Sequence, residues 1–89
     1  MLDIHTNYIN TLIIIHDALS LLISEFNVND NTNCSPIINQ FINDENVRLI
    51  CGIYDEECAN INNVINIFNS NLSIKDFINF VENIIRIEC

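Results

Sequence analysis

The hydrophobic positions of this chain recur at alternating steps of four and three. Between Thr6 and Phe26 the series is Tyr8, Leu12, Ile15, Leu19, Leu22 and Phe26, with Ile9, Ile13 and Ile23 widening it. Steps of that size return to the same side of an α-helix, so the spacing predicts a first helix with a broad apolar stripe. His5, Asn10, Asp17, Ser20 and Ser24 fall away from the stripe. The asparagine-rich run NVNDNTNC, residues 27–34, breaks the period and predicts a loop. After it, Ser35 is placed to cap a helix. Pro36 then stands at the first helical position, where a missing N–H does no harm. Ile37, Ile38, Phe41 and Ile42 give that short second helix its apolar side.

Asp44 can cap a third helix whose apolar set is Val47, Ile50, Cys51 and Tyr54. The same spacing runs on through Cys58, Ile61, Ile65 and Phe68, so one long helix competes with two short ones. Gly52 favours the break. Asp55 would then cap a fourth helix, with Glu56 and Glu57 in its first turn, where the helix dipole favours anions. The last helix opens at Ser73, with Asp76 at the capping-box position and Leu72 and Phe77 as a hydrophobic staple. Ile74, Phe77, Ile78, Val81, Ile84 and Ile85 form its stripe. A chain with one glycine and one proline lacks the turn residues of a sandwich or barrel. The expected fold is all-α: a compact single-domain bundle of four to five helices spanning residues 1–89.

Composition sharpens this picture. At 89 residues the chain is one domain that buries roughly 60–65% of its unfolded surface. Its apolar fraction of 49% is that of a globular protein, not of a disordered one. Twelve acids against three Lys and Arg give a formal net charge of −9. Such a surface repels phosphate backbones and anionic membranes, which argues against direct nucleic-acid or membrane binding. It attracts a basic protein and speeds that association.

The N-terminus has no basic region before its apolar run, so no export signal is expected. LIIIHDALSLLI, interrupted by His16, Asp17 and Ser20, reads as too short and too polar to span a bilayer. A reducing cytoplasm, with the four cysteines as thiols, is the expected setting. Cys51 and Cys58 fall on the apolar stripe and are expected to act as small buried hydrophobes. On a continuous helix they would stand about 10 Å apart along the axis, too far for a disulfide or a shared metal. Cys34 in the loop and Cys89 at the end are expected to be exposed. No C-x-x-C is present, His5 and His16 lack metal-ligand spacing, and His16 and Asp17 are expected on different helix faces. Neither a nucleophile elbow nor a phosphate loop appears. The sequence therefore predicts neither an enzyme nor a cofactor or metal.

That leaves the acids. DEN at Asp44–Asn46 and IYDEEC at Ile53–Cys58 concentrate charge at two helix starts. Capping accounts for some of these carboxylates; three in a row exceed what capping needs. Asp44, Glu45, Asp55, Glu56 and Glu57 are the candidate partner-binding residues, with Tyr54 as an aromatic anchor. On these segments, together with its size and charge, the chain resembles the small acidic helical immunity proteins of bacterial toxin systems, of the colicin and contact-dependent inhibition type. Where the nuclease-colicin members carry tandem tyrosines followed by proline, this chain has a single Tyr54 followed by Asp55. The resemblance implies a stoichiometric inhibitor that neutralises a basic, nuclease-type toxin. The alternatives are a viral or phage helical adaptor that binds a host protein through an apolar groove or dimerises, and a thiol or metal protein.

Overall fold

In the computed structural model, residues 4–68 and 71–88 are described, with side chains for 8–64 and 71–87. The side chains of His5, Ile65 and Phe68, and the whole of Cys89, lie outside the described residues. The architecture is all-α. Helix α1 spans Ile4–Phe26, α2 Cys34–Asn43, α3 Glu45–Cys51, α4 Cys58–Phe68 and α5 Ile74–Glu88. A 3-10 turn, Asp55–Glu57, leads into α4.

The stripes read from the sequence build the core. Leu12, Ile15 and Leu19 of α1 are fully buried, and α1 packs against both α4 and α5. Ile61 and Val64 come to it from α4, and Ile74, Phe77 and Val81 from α5. Helix α2 adds Ile38 and Phe41 and lies on α4 and α3. Tyr8, Leu22, Ile23, Ile78, Ile84 and Ile85 are half-buried around this centre. Thr11 and Ala18, which the stripe omitted, are also buried. Phe26 is not: it closes α1 just before Asn27, which takes a left-handed φ of 57°, and its ring is exposed.

Gly52 breaks the third helix from the fourth. It sits at φ 72°, in the left-handed region that glycine enters without steric cost. The Ile53 N–H donates to the Arg48 carbonyl at 2.9 Å, and the Gly52 N–H to the Leu49 carbonyl at 3.3 Å. This is the paired C-terminal closure of a Schellman motif. The closure turns Ile53 inward, where it is buried although it belongs to no helical stripe. Ile50 is half exposed, because a seven-residue helix buries only its Val47–Cys51 side.

The loop 27–34 ends differently from its expected form. Asn33, not Ser35, caps α2: its Oδ1 accepts from the Ser35 N–H at 2.9 Å. Pro36 accordingly occupies the third helical position, still within the first turn that needs no intrahelical donor. Cys34 begins the helix and is buried, the reverse of the exposed thiol expected there. The cause is a backbone stitch between two loops. The Cys34 N–H donates to the Leu72 carbonyl at 2.9 Å, the Ile74 N–H to Thr32 at 2.8 Å, and the Lys75 N–H to Asp30 at 2.9 Å. Ser73 caps α5 as expected, its hydroxyl accepting from the Asp76 N–H at 3.2 Å. All the donors of the first turn of α5 are thereby satisfied.

By length and composition, 19 residues of α1, Tyr8–Phe26, suffice to cross a membrane, with a mean hydropathy of 1.5. The dozen-residue run had understated this stretch, since Tyr8 to Thr11 and Ser24 to Phe26 extend it. In this fold its Leu12, Ile15, Ala18 and Leu19 side is the centre of the protein core.

Candidate partner-binding face

The face is organised by Arg48. Its Nη1 donates to the carbonyls of Phe41 at 3.2 Å and Ile42 at 2.7 Å, near the C-terminal end of α2. Its Nε donates to Asp55 Oδ1 at 3.1 Å. One guanidinium thus ties α2, α3 and the 3-10 turn together, using the planar fork of donors that lysine lacks. Little of it is exposed, whereas Asp55 stands in solvent.

Each expected site residue has a defined place. Asp44 ends α2 and begins α3: its N–H donates to Gln40, and its carboxylate accepts from the N–H groups of Asn46 at 2.9 Å and Val47 at 3.3 Å. Asp55 does not cap the fourth helix. It lies in the 3-10 turn before that helix, and the cap position of that turn is Tyr54; the Tyr54 N–H donates to Glu57 Oε1 at 2.9 Å while its carbonyl accepts from the Glu57 N–H at 3.0 Å. Glu57 is therefore folded back onto the backbone, and Asp44 is engaged in the α2–α3 junction. Glu45 and Glu56 are exposed, and among the described residues no hydrogen bond or ion pair engages either carboxylate. Tyr54 is 70% exposed.

Leu49 also belongs to this face, and Ile50 follows it on α3; neither is among the expected site residues. Leu49 is 79% exposed and Ile50 is 51% exposed. A signal for Leu49 existed: at about 100° per residue it lies some 200° from both Val47 and Cys51, on the far side of α3. An open cleft of about 410 Å³ lies here, lined by Glu45, Asn46, Arg48, Leu49, Ile53, Tyr54 and Asp55. It brings Glu45, Tyr54 and Asp55 of the expected set together. Asp44 and Glu45 also border a more open depression with Pro36, Asn39, Gln40 and Asn43.

None of the described histidine and cysteine side chains lines the cleft, although the Cys58 thiol donates at 3.9 Å to the Phe41 carbonyl that Arg48 also binds. His16 Nδ1 is 3.0 Å from Asp17 Oδ1, so these neighbours do meet at the helix edge, contrary to expectation. His16 Nε2 is 3.2 Å from Glu82 Oε2, which links α1 to α5. Cys51 and Cys58 are half-buried, less enclosed than expected, and with Cys34 they are free thiols. Burial pushes the thiols of Cys34 and Cys51 up from their ordinary range, away from the reactive thiolate. Among the described residues no three His, Cys, Asp or Glu side chains group so as to hold a metal ion. No family model, no curated protein and no solved structure matches this chain.

Proposed function

We propose that the protein is a stoichiometric inhibitor of the immunity type, which binds and neutralises a basic protein partner, a nuclease-type toxin, in the cytoplasm. The observation that carries this reading is the composition of one face. Leu49 and Tyr54 are large, exposed and line one cleft, and Glu45 and Asp55 line it with them. Apolar anchors inside a charged rim are the arrangement by which small interfaces gain affinity and specificity. The rim has the sign of the whole chain, so the field that steers a basic partner inward ends at the anchors. The reading involves no catalysis and no cofactor.

The test is capture of a basic protein, or of the product of a neighbouring reading frame, followed by measurement of its nuclease activity with increasing amounts of this chain. Loss of activity at one-to-one stoichiometry supports the proposal. A partner that is captured yet fully active with excess chain refutes it. A second reading, an adaptor that dimerises, draws on Phe80 and Ile87, exposed apolar residues of α5. Sedimentation across a hundredfold range of concentration separates the two, since only the dimer changes mass.

A further inference from the structure

We infer that the cleft between α3 and the 3-10 turn is the docking site for one arginine side chain from an exposed basic segment of the partner. The inference deepens the proposed function and rests on it for the identity of that partner. Three features of the cleft lead to arginine. First, it carries apolar surface: exposed Leu49 and Tyr54 line it together with buried Ile53. A long aliphatic stem can lie along such a surface while its charged head stays in water. Second, two carboxylates line the cleft, Glu45 and Asp55. Glu45 lies one helical turn before Leu49, hence on the same side of α3, and no hydrogen bond or ion pair engages its carboxylate among the described residues. Asp55 accepts from Arg48 through Oδ1, so Oδ2 remains for a second cation. Third, Tyr54 offers a ring face in solvent, on which a guanidinium stacks better than an ammonium.

Arg48 does not reverse the sign of the site. Its guanidinium is held by two carbonyls and Asp55, and against it stand the two carboxylates of the cleft, Glu45 and Asp55. An anionic side chain would meet that excess, as well as the net charge of the whole chain. A purely aliphatic side chain would cover the apolar surface and leave Glu45 without a partner.

The inference can be tested without the natural partner. The probe is the blocked pentapeptide Gly-Ser-Arg-Ser-Gly, titrated to millimolar concentration into the isotope-labelled protein while amide and methyl shifts are followed. The control replaces arginine by citrulline, which keeps shape and length but carries no charge. Saturable shifts centred on Leu49, Ile53 and Tyr54 are expected with arginine, and at least a threefold weaker response with citrulline. Glu45→Gln should weaken the arginine peptide by about threefold to fivefold, as for an exposed but well-placed ion pair. Leu49→Asn should weaken it similarly, because the stem loses apolar surface. Both positions are exposed, so the variants keep the parent's circular dichroism spectrum. Equal shifts at Asp17, Glu25 and Glu82, equal binding of citrulline, or the absence of saturable shifts would each overturn the inference. If the peptide docks but no basic protein is inhibited, the cleft stands and the inhibitor reading fails. If a toxin is inhibited equally well by Leu49→Asn and by the parent, the reverse holds.

Discussion

Single residues decide how the proposed binding face is held. Gly52 takes φ 72°, and a Cβ placed there would meet no atom within 4 Å. The cost of Gly52→Ala is thus conformational and not steric, about 1 kcal/mol, and Gly52→Asn should cost less. Urea denaturation of the two variants checks this ordering. Arg48→Met should cost more, on the order of 1–3 kcal/mol, because two carbonyls of α2 lose a charged donor. The exposed Asp55 contributes little of that loss. Cys34 gives a pH dependence with a definite sign. Burial raises its thiol in the folded state, only partly offset by its own backbone and the Ser35 hydrogen bond. The folded protein thus prefers the protonated thiol more than the unfolded chain does. That contribution is intact below the ordinary thiol range, near pH 8.5, and is lost as pH rises through the higher folded value. The urea midpoint should hold from pH 7 to 8 and fall above about pH 9, and Cys34→Ala should flatten part of the fall.

Among the elements, the long helices carry the stability and the short ones carry the face. Ile15→Asp in α1 and Phe77→Asp in α5 each place an unpaired charge at a fully enclosed position. Each should cost several kcal/mol and be visible as lost helical ellipticity at room temperature. These positions were legible because α1 and α5 repeat their apolar period often enough to fix its phase. Helix α3 has seven residues: its Val47–Cys51 spacing places Leu49 on the far side, but so short a period leaves Ile50 and Ile53 undecided. The Schellman closure at Gly52 is what turns Ile53 inward. Cys34 was illegible for another reason, since its burial depends on loop 71–73, far away in the sequence. The acid clusters were legible as clusters, but not the division among them. Asp44 and Glu57 are taken up by backbone N–H groups, whereas Glu45 and Glu56 are turned outward. Neutralising Asp55, Glu56 and Glu57 to Asn and Gln keeps an acceptor for the Tyr54 N–H and should leave the fold nearly intact, whereas Glu57→Ala should cost about 1 kcal/mol.

On the scale of the whole molecule, charge and fold act separately. The core requires no bridge, so the chain should fold in reducing buffer with a helical circular dichroism spectrum; a strand-type spectrum would contradict the fold. The net charge of −9 should act on association instead. Glu45→Gln with Glu56→Gln should leave the melting temperature nearly unchanged and slow association with a basic partner several-fold at low salt. The difference should shrink as ionic strength rises toward 0.5 M. Stopped-flow rates for parent and variant at three salt concentrations are the measurement.

The stitch between the two loops also divides the molecule by origin of change. The chain departs from the α1–α5 pair at Cys34 and comes back to it at Leu72, whose backbones are hydrogen-bonded. The excursion contains α2, α3 and α4, and with them every residue of the proposed binding face. Helices α1 and α5 form the remaining frame, joined to each other by packing and by His16 with Glu82. Its exposed outer surface can therefore drift in sequence while Phe41, Ile61 and Val64 keep it seated on the frame. A lineage under pressure from changing partners could alter Glu45, Leu49, Ile50, Tyr54 and Glu56 one at a time, and each step would leave the stitch and the core as they were.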